Sequence, residues 1–333
     1  MALDSVPWFI GGGAEHSPAV ARMLAYAATS GATGVISPSD LRVTALPTPG
    51  AAVRIMPGGA AILNRYPGAA NQSYTARNAS ATDVAVPATG SSGGATRYLI
   101  LRVDDPEFGG QAPTNVVDGP YVRAVLVSSI TNLAYPFVPL AKITQPANTA
   151  TITQAMIADI RDIANPREKQ VIIPRPLQGS DVPAAGFDQL NGATSDGQPY
   201  PFYAQGANQS GNTLLIPEWA TRMQIEATWI AVRMQPANTD GFGDYWVDFG
   251  PVVRPEKLKY STRVYHWDQV AGDFSRNNWE LADEVAIPEE LRGQNVSFLM
   301  KASRQGAAYP RMDGRSGYKL KVRFLERADS GVA

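Results

Sequence analysis

Apolar and polar residues alternate over many short stretches of this chain, and a period of two is the pattern of a β-strand with one buried face. In the first half, Pro-Gly, Gly-Gly and Asn-rich turns separate six short stretches that have the length and composition of strands: residues 53–56, 60–63, 73–77, 83–86, 97–103 and 121–128. In the second half, the clearest stretches are residues 223–231, 296–302 and 318–324. The pattern predicts a mainly β protein.

Helical spacing occurs in two places. Ser17 and Pro18 form an N-cap followed by a proline at the first helical position, and apolar residues then recur at helical spacing up to Gly31. The second place is residues 151–165, which begin with capping-box spacing and end before a proline. Apolar residues form one face of this second predicted helix: Met156, Ile157, Ile160 and Ile163.

Four buried side chains at roughly 1.5–3 kcal/mol each do not offset about 1–2 kcal/mol of ordering cost per residue over a dozen residues. The predicted second helix therefore needs a surface on which to dock. We expect Met156, Ile157, Ile160 and Ile163 to be assembly contacts, made with the sheet of the same domain and with neighbouring subunits.

Charge density divides the chain into two domains. Residues 1–165 hold 10 Lys and Arg and 10 Asp and Glu, whereas residues 166–333 hold 19 and 20. Between them, residues 166–183 are rich in proline and have the composition of a linker. We predict a β-rich assembly domain with a few short helices over 1–165, the linker over 166–183, and an antiparallel β-sandwich, jelly-roll-like, over 184–333.

The composition argues against several classes of function. The net charge of −1 leaves neither half with the excess of Lys and Arg that a nucleic-acid or anionic membrane surface needs. The absence of cysteine excludes disulfides and thiolate metal sites. No stretch approaches the roughly 20 apolar residues of a membrane span, and the first residues lack the pattern of a secretory signal. We expect no nucleic-acid binding and no membrane insertion.

The sequence also contains few residues that could act as catalytic groups. The two histidines, His16 and His266, fall in different predicted domains, and the chain shows no P-loop, no HExxH and no EF-hand spacing. Residues 90–94 match the letters of a nucleophile elbow, but a strand follows them where that motif needs a helix. Adjacent acid pairs such as Asp283 and Glu284 point to opposite faces of a strand. We expect a protein that is not an enzyme and holds no cofactor and no metal.

The segment TDGFGDYWVDFG is the best candidate for a binding site. Its carboxylates lie beside aromatic rings, and sugars stack on such rings while carboxylates accept their hydroxyl hydrogen bonds. Two other interpretations are open: a calcium loop, or a hairpin in which Trp246 and Phe249 enter the core while the aspartates solvate the turn. Two further tryptophans have polar neighbours that suggest exposure. The candidate glycan contacts are Asp240, Asp244, Tyr245, Trp246, Asp248, Trp267 and Trp279.

Three runs in the first half resemble a known family: PLAKITQPANTATITQAMIADIRD (139–162), VRIMPGGAAIL (53–63) and RYLILRVDD (97–105). They are similar to the amino-terminal domain of minor tail or baseplate proteins of siphophages that infect actinobacteria. The resemblance covers about half of the chain. It implies a tail-tip protein of the virion, made in the host cytoplasm, that contacts other tail and baseplate proteins and forms a homo-oligomer, with a trimer expected first.

Two functions follow for the second domain. In one, the domain is presented on the tail tip and adheres to glycan of the host cell wall. In the alternative, the protein is a virion-associated polysaccharide-degrading enzyme whose distant carboxylates converge in the fold or across chains.

Overall fold

The computed structural model describes residues 17–175, 200–201, 213–235, 240–249, 263–267, 275–304, 309–312 and 315–328. Contacts divide the chain into two compact units: the first covers Met1–Pro166 together with Arg327–Ala333, and the second covers Arg167–Glu326. Each unit has a hydrophobic core of its own. In the described part of the chain, no helix is long and apolar enough to cross a membrane.

The first unit consists of one described α-helix and short antiparallel sheets. The helix is α1 (Pro18–Thr29). The strands are β1 (Gly34–Val35), β2 (Val43–Ala45), β3 (Ala52–Ile55), β4 (Gly58–Leu63), β5 (Ser73–Asn78), β6 (Thr82–Ala85), β7 (Ala95–Val103), β8 (Val122–Val127), β9 (Phe137–Gln145) and β10 (Ile157–Asp159). They form three sheets, with the orders β1-β4-β5, β2-β3-β6 and β10-β9-β7-β8. The six strands predicted for this half are confirmed, each within two residues at either end.

The first predicted helix is confirmed together with its caps. The Ser17 side chain accepts a hydrogen bond from the backbone N–H of Ala19, and Ser30 ends α1 in the left-handed conformation. The next residue is a glycine with φ +75°, where a Cβ would lie 2.6 Å from the ring of Tyr26. An apolar residue is the usual occupant of the buried face of a helix, but in α1 the one charged residue, Arg22, points inward.

The second predicted helix is wrong. Residues 154–156 make a single 3-10 turn, and the chain then becomes β10, which pairs with β9 from Ile157 opposite Ile143 to Asp159 opposite Ala141. The capping-box interpretation fails as well, because the Gln154 side chain instead accepts a hydrogen bond from the backbone N–H of Ala45, at 3.0 Å. The edge of β9 offers hydrogen bonds to an extended chain, and β-branched isoleucine suits that conformation.

The docking prediction for this segment loses its basis, since the helix on which it rested is absent. Ile163 lies in the core of the first unit and bridges to Val35 of β1. Met156 and Ile157 pack against the same core, and Ile160 is half-buried. Their contacts are therefore explained within the unit, and they give no evidence of a neighbouring subunit.

The second unit contains the remaining described strands. They are β11 (Glu168–Arg175), β12 (Tyr200–Pro201), β13 (Thr213–Leu215), β14 (Arg222–Gln235), β15 (Gly241–Asp248), β16 (Arg263–Trp267), β17 (Ser275–Ala286), β18 (Asn295–Ser297), β19 (Leu299–Ala302), β20 (Tyr309–Arg311) and β21 (Gly317–Leu325). One sheet, here called the β14 sheet, has the order β11-β21-β14-β17, with β20 also paired to β14. A second sheet, the β15 sheet, has the order β12-β19-β15-β16, and β13 pairs with β18 in a separate two-stranded sheet.

These two sheets form a jelly roll. When the eight strands of these two orders are numbered along the chain, with β20 left aside, the β14 sheet has the order 1-8-3-6 and the β15 sheet the order 2-7-4-5, which is the pairing scheme of that fold. Inward side chains of both sheets share one core, in which the rings of Trp229 on β14 and Tyr245 on β15 lie 5.1 Å apart. The predicted antiparallel sandwich is confirmed.

The predicted linker is wrong over residues 168–175. These residues form β11, which pairs along its length with β21, and Val171 and Ile173 pack against the core. Pro174 is tolerated because β11 is an edge strand of the described sheet, where a missing N–H costs no ladder hydrogen bond on the open side. Residues 176–183 lie outside the described part of the chain.

Candidate functional site

Strand β15 carries most of the candidate residues, and its alternation sorts them onto two faces. Gly243, Tyr245 and Val247 are buried on the core side. The intervening positions point outward, because successive side chains of a strand point to opposite faces. The outward residues of β15 are Phe242, Asp244, Trp246 and Asp248.

Two of the aromatic candidates belong to the core. The ring of Tyr245 stacks on Trp279 with centroids 5.1 Å apart, and its hydroxyl donates to the backbone carbonyl of Glu280 at 2.8 Å. Trp279 is only 4% exposed and lies opposite Trp229 in the pairing of β17 with β14. A sugar ring has no access to either side chain, so the prediction that Tyr245 and Trp279 contact a ligand is wrong.

The outward residues of β15 continue onto the neighbouring strands. Phe242 is exposed and lies opposite His266 of β16, with the two rings edge to face at 6.0 Å. Asp244 lies opposite Val264, which is also exposed. We call the seven residues of this surface the outer strip: Phe242, Asp244, Trp246, Asp248, Val264, His266 and Lys301.

The other end of the outer strip is fixed by β19. Half-buried Trp246 lies opposite Lys301, whose ammonium forms an ion pair with Asp248. Asp244 is held through its backbone, because its carbonyl accepts a hydrogen bond from the N–H of Ser303 at 2.8 Å. The strip thus has a fixed backbone, with aromatic rings and carboxylates in alternation.

The remaining candidates give a mixed result. Asp240 is exposed just before β15. Trp267 is the last residue of β16 and lies opposite Gly241, but its side chain is outside the described set. The hairpin interpretation holds for Phe249, which is buried, and holds in part for Trp246, which occupies an outward position of β15 but is half-buried and packs against the core. Asp244 and Asp248 lie along a strand and not in a turn.

The spacing of the carboxylates limits their chemistry. Asp244 and Asp248 are four residues apart on one strand, which corresponds to about 13 Å. A calcium ion needs its oxygen ligands at about 2.3–2.6 Å, so these two aspartates do not share one. The separation also exceeds the roughly 5–9.5 Å between the catalytic carboxyls of glycosidases. No group of acidic or histidine side chains suited to a metal occurs among the described residues.

The outward face of the β14 sheet has a different chemistry. Arg323 donates to Glu168, and Lys321 forms an ion pair with Glu226 at 2.9 Å. The hydrogen bonds from Arg323 hold the pKa of Glu168 below its ordinary value. Complementary charges of this kind are typical of a solvated surface. Only the β15 sheet presents aromatic rings on its described outward face together with carboxylates.

Sequence reasoning missed a buried polar cluster in the first unit. The Arg22 guanidinium donates to Gln72, to Glu107 at 2.8 Å and to Asp105 at 3.4 Å. The hydroxyl of Tyr74 donates to the same Asp105 carboxylate at 2.9 Å. Burial, together with that hydrogen bond, raises the pKa of Tyr74. The donors and acceptors satisfy one another, which makes the cluster structural.

The acid pair at the end of β7 explains part of this arrangement. Asp104 and Asp105 point in opposite directions, as neighbours in an extended chain do. Asp104 is buried and forms an ion pair with Arg102 at 2.6 Å and with Arg123 at 3.4 Å, whereas Asp105 faces α1. The one sequence signal for the cluster was a single arginine within an otherwise uncharged helix.

No protein-family model and no curated protein matches the chain. Among solved structures, it is similar to the VP2 subviral particle of infectious bursal disease virus, with 11% identity over 91% of this chain and 74% of that chain and a TM-score of 0.25. The Gx strain of the same virus gives 11% identity, 90% and 76% coverage and a TM-score of 0.21. The mosquito-larvicidal Cry4Aa toxin of Bacillus thuringiensis gives 9% identity over 88% of this chain and 54% of that chain, with a TM-score of 0.18. Likenesses at this level carry no argument, so the fold assignment rests on the strand pairings.

Proposed function

We propose that this protein is a non-enzymatic structural component of a phage tail tip or baseplate. In this proposal the first unit attaches it to other tail proteins, and copies of the chain associate, with a trimer expected. The second unit is presented outward for adhesion to glycan of the host cell wall. The outer strip is the observation on which the adhesion proposal depends.

The attachment role is supported by where the tail-protein motifs lie. Residues 53–63 cover most of β3 and all of β4, residues 97–105 cover most of β7 and the acid pair after it, and residues 139–162 cover most of β9 and all of β10. Inward side chains of these motifs, such as Val53, Leu99 and Leu140, are buried in the core of the first unit. The resemblance therefore falls on residues that determine the fold of this unit, which supports an attachment module of the same fold.

The adhesion role is supported by the contrast between the two outward faces of the jelly roll. The face of the β14 sheet is neutralised by pairs such as Arg323 with Glu168, and it offers few aromatic contacts. Along β15 the outer strip runs for seven residues from Phe242 to Asp248, or roughly 20 Å, which is several sugar rings long. Its alternation of rings and carboxylates supplies stacking and hydrogen-bond acceptors in turn.

Binding to purified cell walls tests the adhesion role. The full chain is incubated with a panel of purified actinobacterial walls, and the bound fraction is measured after sedimentation. We expect Trp246→Ala and Phe242→Ala to lower the bound fraction by about tenfold, as loss of a central aromatic contact does. Ile172→Ala, an exposed apolar position on the β14 sheet, is the matched control and should bind as the wild type does.

Two results would contradict the adhesion role: no binding of the wild type to any wall in the panel, or equal binding by all variants. Release of reducing ends from wall polysaccharide during the same incubation would favour the enzyme instead. The virion role has a separate test, in which purified virions are labelled with antibody against the chain. Label at the tail tip is expected, and label on the capsid alone would contradict tail placement.

A further inference from the structure

Charged and aromatic side chains lie in a row across three strands of the first unit. Leu101 and Val103 of β7 point into the core, so Arg102 between them points to the other face of the sheet. Arg123 of β8 and Phe137 of β9 lie directly opposite Arg102, one on each side. Residues directly opposite each other share a face, so these three side chains are neighbours.

Stacking on aromatic rings holds two of the cations in this row. Arg65, in the loop between β4 and β5, has its guanidinium carbon 4.8 Å from the centre of the Phe137 ring. The guanidinium carbon of Arg102 lies 4.0 Å from the centre of the Tyr135 ring, and the two rings meet edge to face at 6.4 Å. A guanidinium held on a ring loses less side-chain entropy when it binds a ligand. We call these five residues the basic row: Arg65, Arg102, Arg123, Tyr135 and Phe137.

The basic row carries three positive charges and ion-pairs with one carboxylate among the described residues. The buried side chain of Asp104 binds Arg102 at 2.6 Å and Arg123 at 3.4 Å. Like charges directly opposite each other on neighbouring strands repel, so Asp104 serves to hold these two arginines side by side. Arg65 is exposed and forms no ion pair in the part of the chain that the structure describes. Three cations against one carboxylate leave a positive surplus.

This surplus is local to the basic row. Two other exposed arginines have a carboxylate each: Arg54 binds Asp83 at 2.7 Å in the same unit, and Arg323 binds Glu168 in the second unit. Such pairs give a neutral, solvated surface. Residues 1–165 as a whole hold equal numbers of basic and acidic residues. The positive charge of the basic row is therefore not a general property of this half of the chain.

The basic row also keeps hydrogen-bond donors for a ligand. An arginine has five N–H donors in a planar fork. Arg102 directs its Nε and Nη2 to a single oxygen of Asp104, and Arg123 reaches the side-chain oxygen of Gln111 only at 3.4 Å. The side chains of these two arginines are 31% and 35% exposed, so solvent reaches both. Arg65 contributes a third fork, and such forks match a carboxylate in bidentate pairs.

We infer that the basic row binds acidic side chains of a protein partner. Charge complementarity sets the sign of that partner, and the fork geometry suits its carboxylates. The observations favour a protein over a nucleic acid. Base stacking needs an open aromatic face, but Phe137 is only 4% exposed and Arg102 covers one face of Tyr135. Three cations also neutralise few phosphates. Identifying the partner as a neighbouring tail protein rests on the proposed function, in which the first unit attaches to other tail proteins.

The test measures binding of the full chain to a fluorescein-labelled peptide of alternating glycine and glutamate, by fluorescence anisotropy. A peptide of alternating glycine and glutamine is the uncharged probe. Arg65→Gln removes an exposed cation without breaking an ion pair. Arg54→Gln removes the same charge from a paired position of the same unit and is the matched control. Thermal unfolding checks that both variants are folded.

We expect the wild type and Arg54→Gln to bind the glutamate peptide and not the glutamine peptide. Arg65→Gln should need an about threefold to tenfold higher protein concentration for the same binding. Added salt should weaken the binding, because the cations are partly exposed. Equal binding of the two peptides by the wild type, or an unchanged Arg65→Gln, would overturn the inference. Tighter binding to an oligothymidine of the same charge would overturn it as well, since the row would then be a nucleic-acid site.

These outcomes are separate from the antibody test of tail placement. Binding of the glutamate peptide without label at the tail tip would keep the site for an acidic partner and remove a tail protein as that partner. Label at the tail tip without any difference between the two peptides would keep the virion role and overturn the inference.

Discussion

Arg167 and Glu326, the first and last residues of the second unit, are joined to each other by both backbone and side chains. The N–H of Arg167 donates to the Glu326 carboxylate at 2.9 Å, its Nε donates to the same oxygen at 2.8 Å, and the N–H of Glu326 donates to the Arg167 carbonyl at 3.1 Å. The pair closes β11 and β21 at the point where the chain enters and leaves the jelly roll. The pair therefore joins the edge strand β11 to β21 at the end of the sheet.

The Arg167–Glu326 pair predicts that the stability of the protein falls in acid. Burial raises the pKa of Glu326, but the hydrogen bonds from Arg167 outweigh it and hold that pKa below its ordinary value. A carboxyl with a lowered pKa in the folded state stabilises the fold above its unfolded pKa, and the contribution is lost as the pH falls through the folded pKa. Glu326→Gln should therefore cost about 1–3 kcal/mol near neutral pH and little in acid. Thermal unfolding from neutral pH to below pH 4 measures the difference, and equal losses at all pH values would contradict it.

The buried cluster of the first unit predicts a sharp contrast between neighbouring residues of α1. Arg22→Ala leaves the half-buried Asp105 carboxylate without its cation, and losing hydrogen bonds to a charged group of this kind costs about 1.5–3 kcal/mol. Met23→Ala, one residue further on, removes an exposed side chain and should change stability by no more than about 0.5 kcal/mol. Denaturant unfolding of both variants checks this prediction. A larger loss for Met23→Ala would mean that the outer face of α1 is covered.

Much of the fold could be predicted because most strands here have one buried face. Residues 223–229 and 318–324 alternate cleanly, and their inward side chains are fully buried. The alternation breaks at Ala231, where β14 has a register shift and the residue adopts a positive φ, and burial resumes at Val232. A bulge of this kind has no signal in a period-two pattern.

The failures also have physical causes. Residues 156–163 have helical spacing, but three of their apolar residues are β-branched isoleucines and the segment lies beside the open edge of β9, so tertiary pairing overrides the local pattern. Pro174 suggested a linker because the sequence does not show that β11 is an edge strand. Trp279 suggested exposure because its neighbours Asn278 and Glu280 are polar. In a half-buried strand, however, polar neighbours are what an inward residue has.

Ile163 allows a direct test of the corrected assignment for residues 157–163. Because this side chain lies in the core of the first unit and bridges to β1, Ile163→Ala should destabilise the protein by about 2–5 kcal/mol. Ile36→Ala, at an exposed position next to β1, is the control and should lie within about 0.5 kcal/mol of the wild type. Denaturant unfolding at low protein concentration excludes any effect of association. A neutral Ile163→Ala would return this residue to the docking role.

The two tryptophans Trp246 and Trp279 should separate stability from binding. Trp279 stacks on Tyr245 inside the jelly roll, so Trp279→Ala should cost about 3–5 kcal/mol of stability. Trp246 is outward and half-buried, so Trp246→Ala should cost clearly less while lowering the bound fraction on cell walls. Thermal unfolding and wall binding are measured on the same preparations, with Trp279→Phe included to keep an aromatic ring in the core. The opposite result, in which Trp279→Phe folds normally but loses binding, would move the ligand site away from the outer strip.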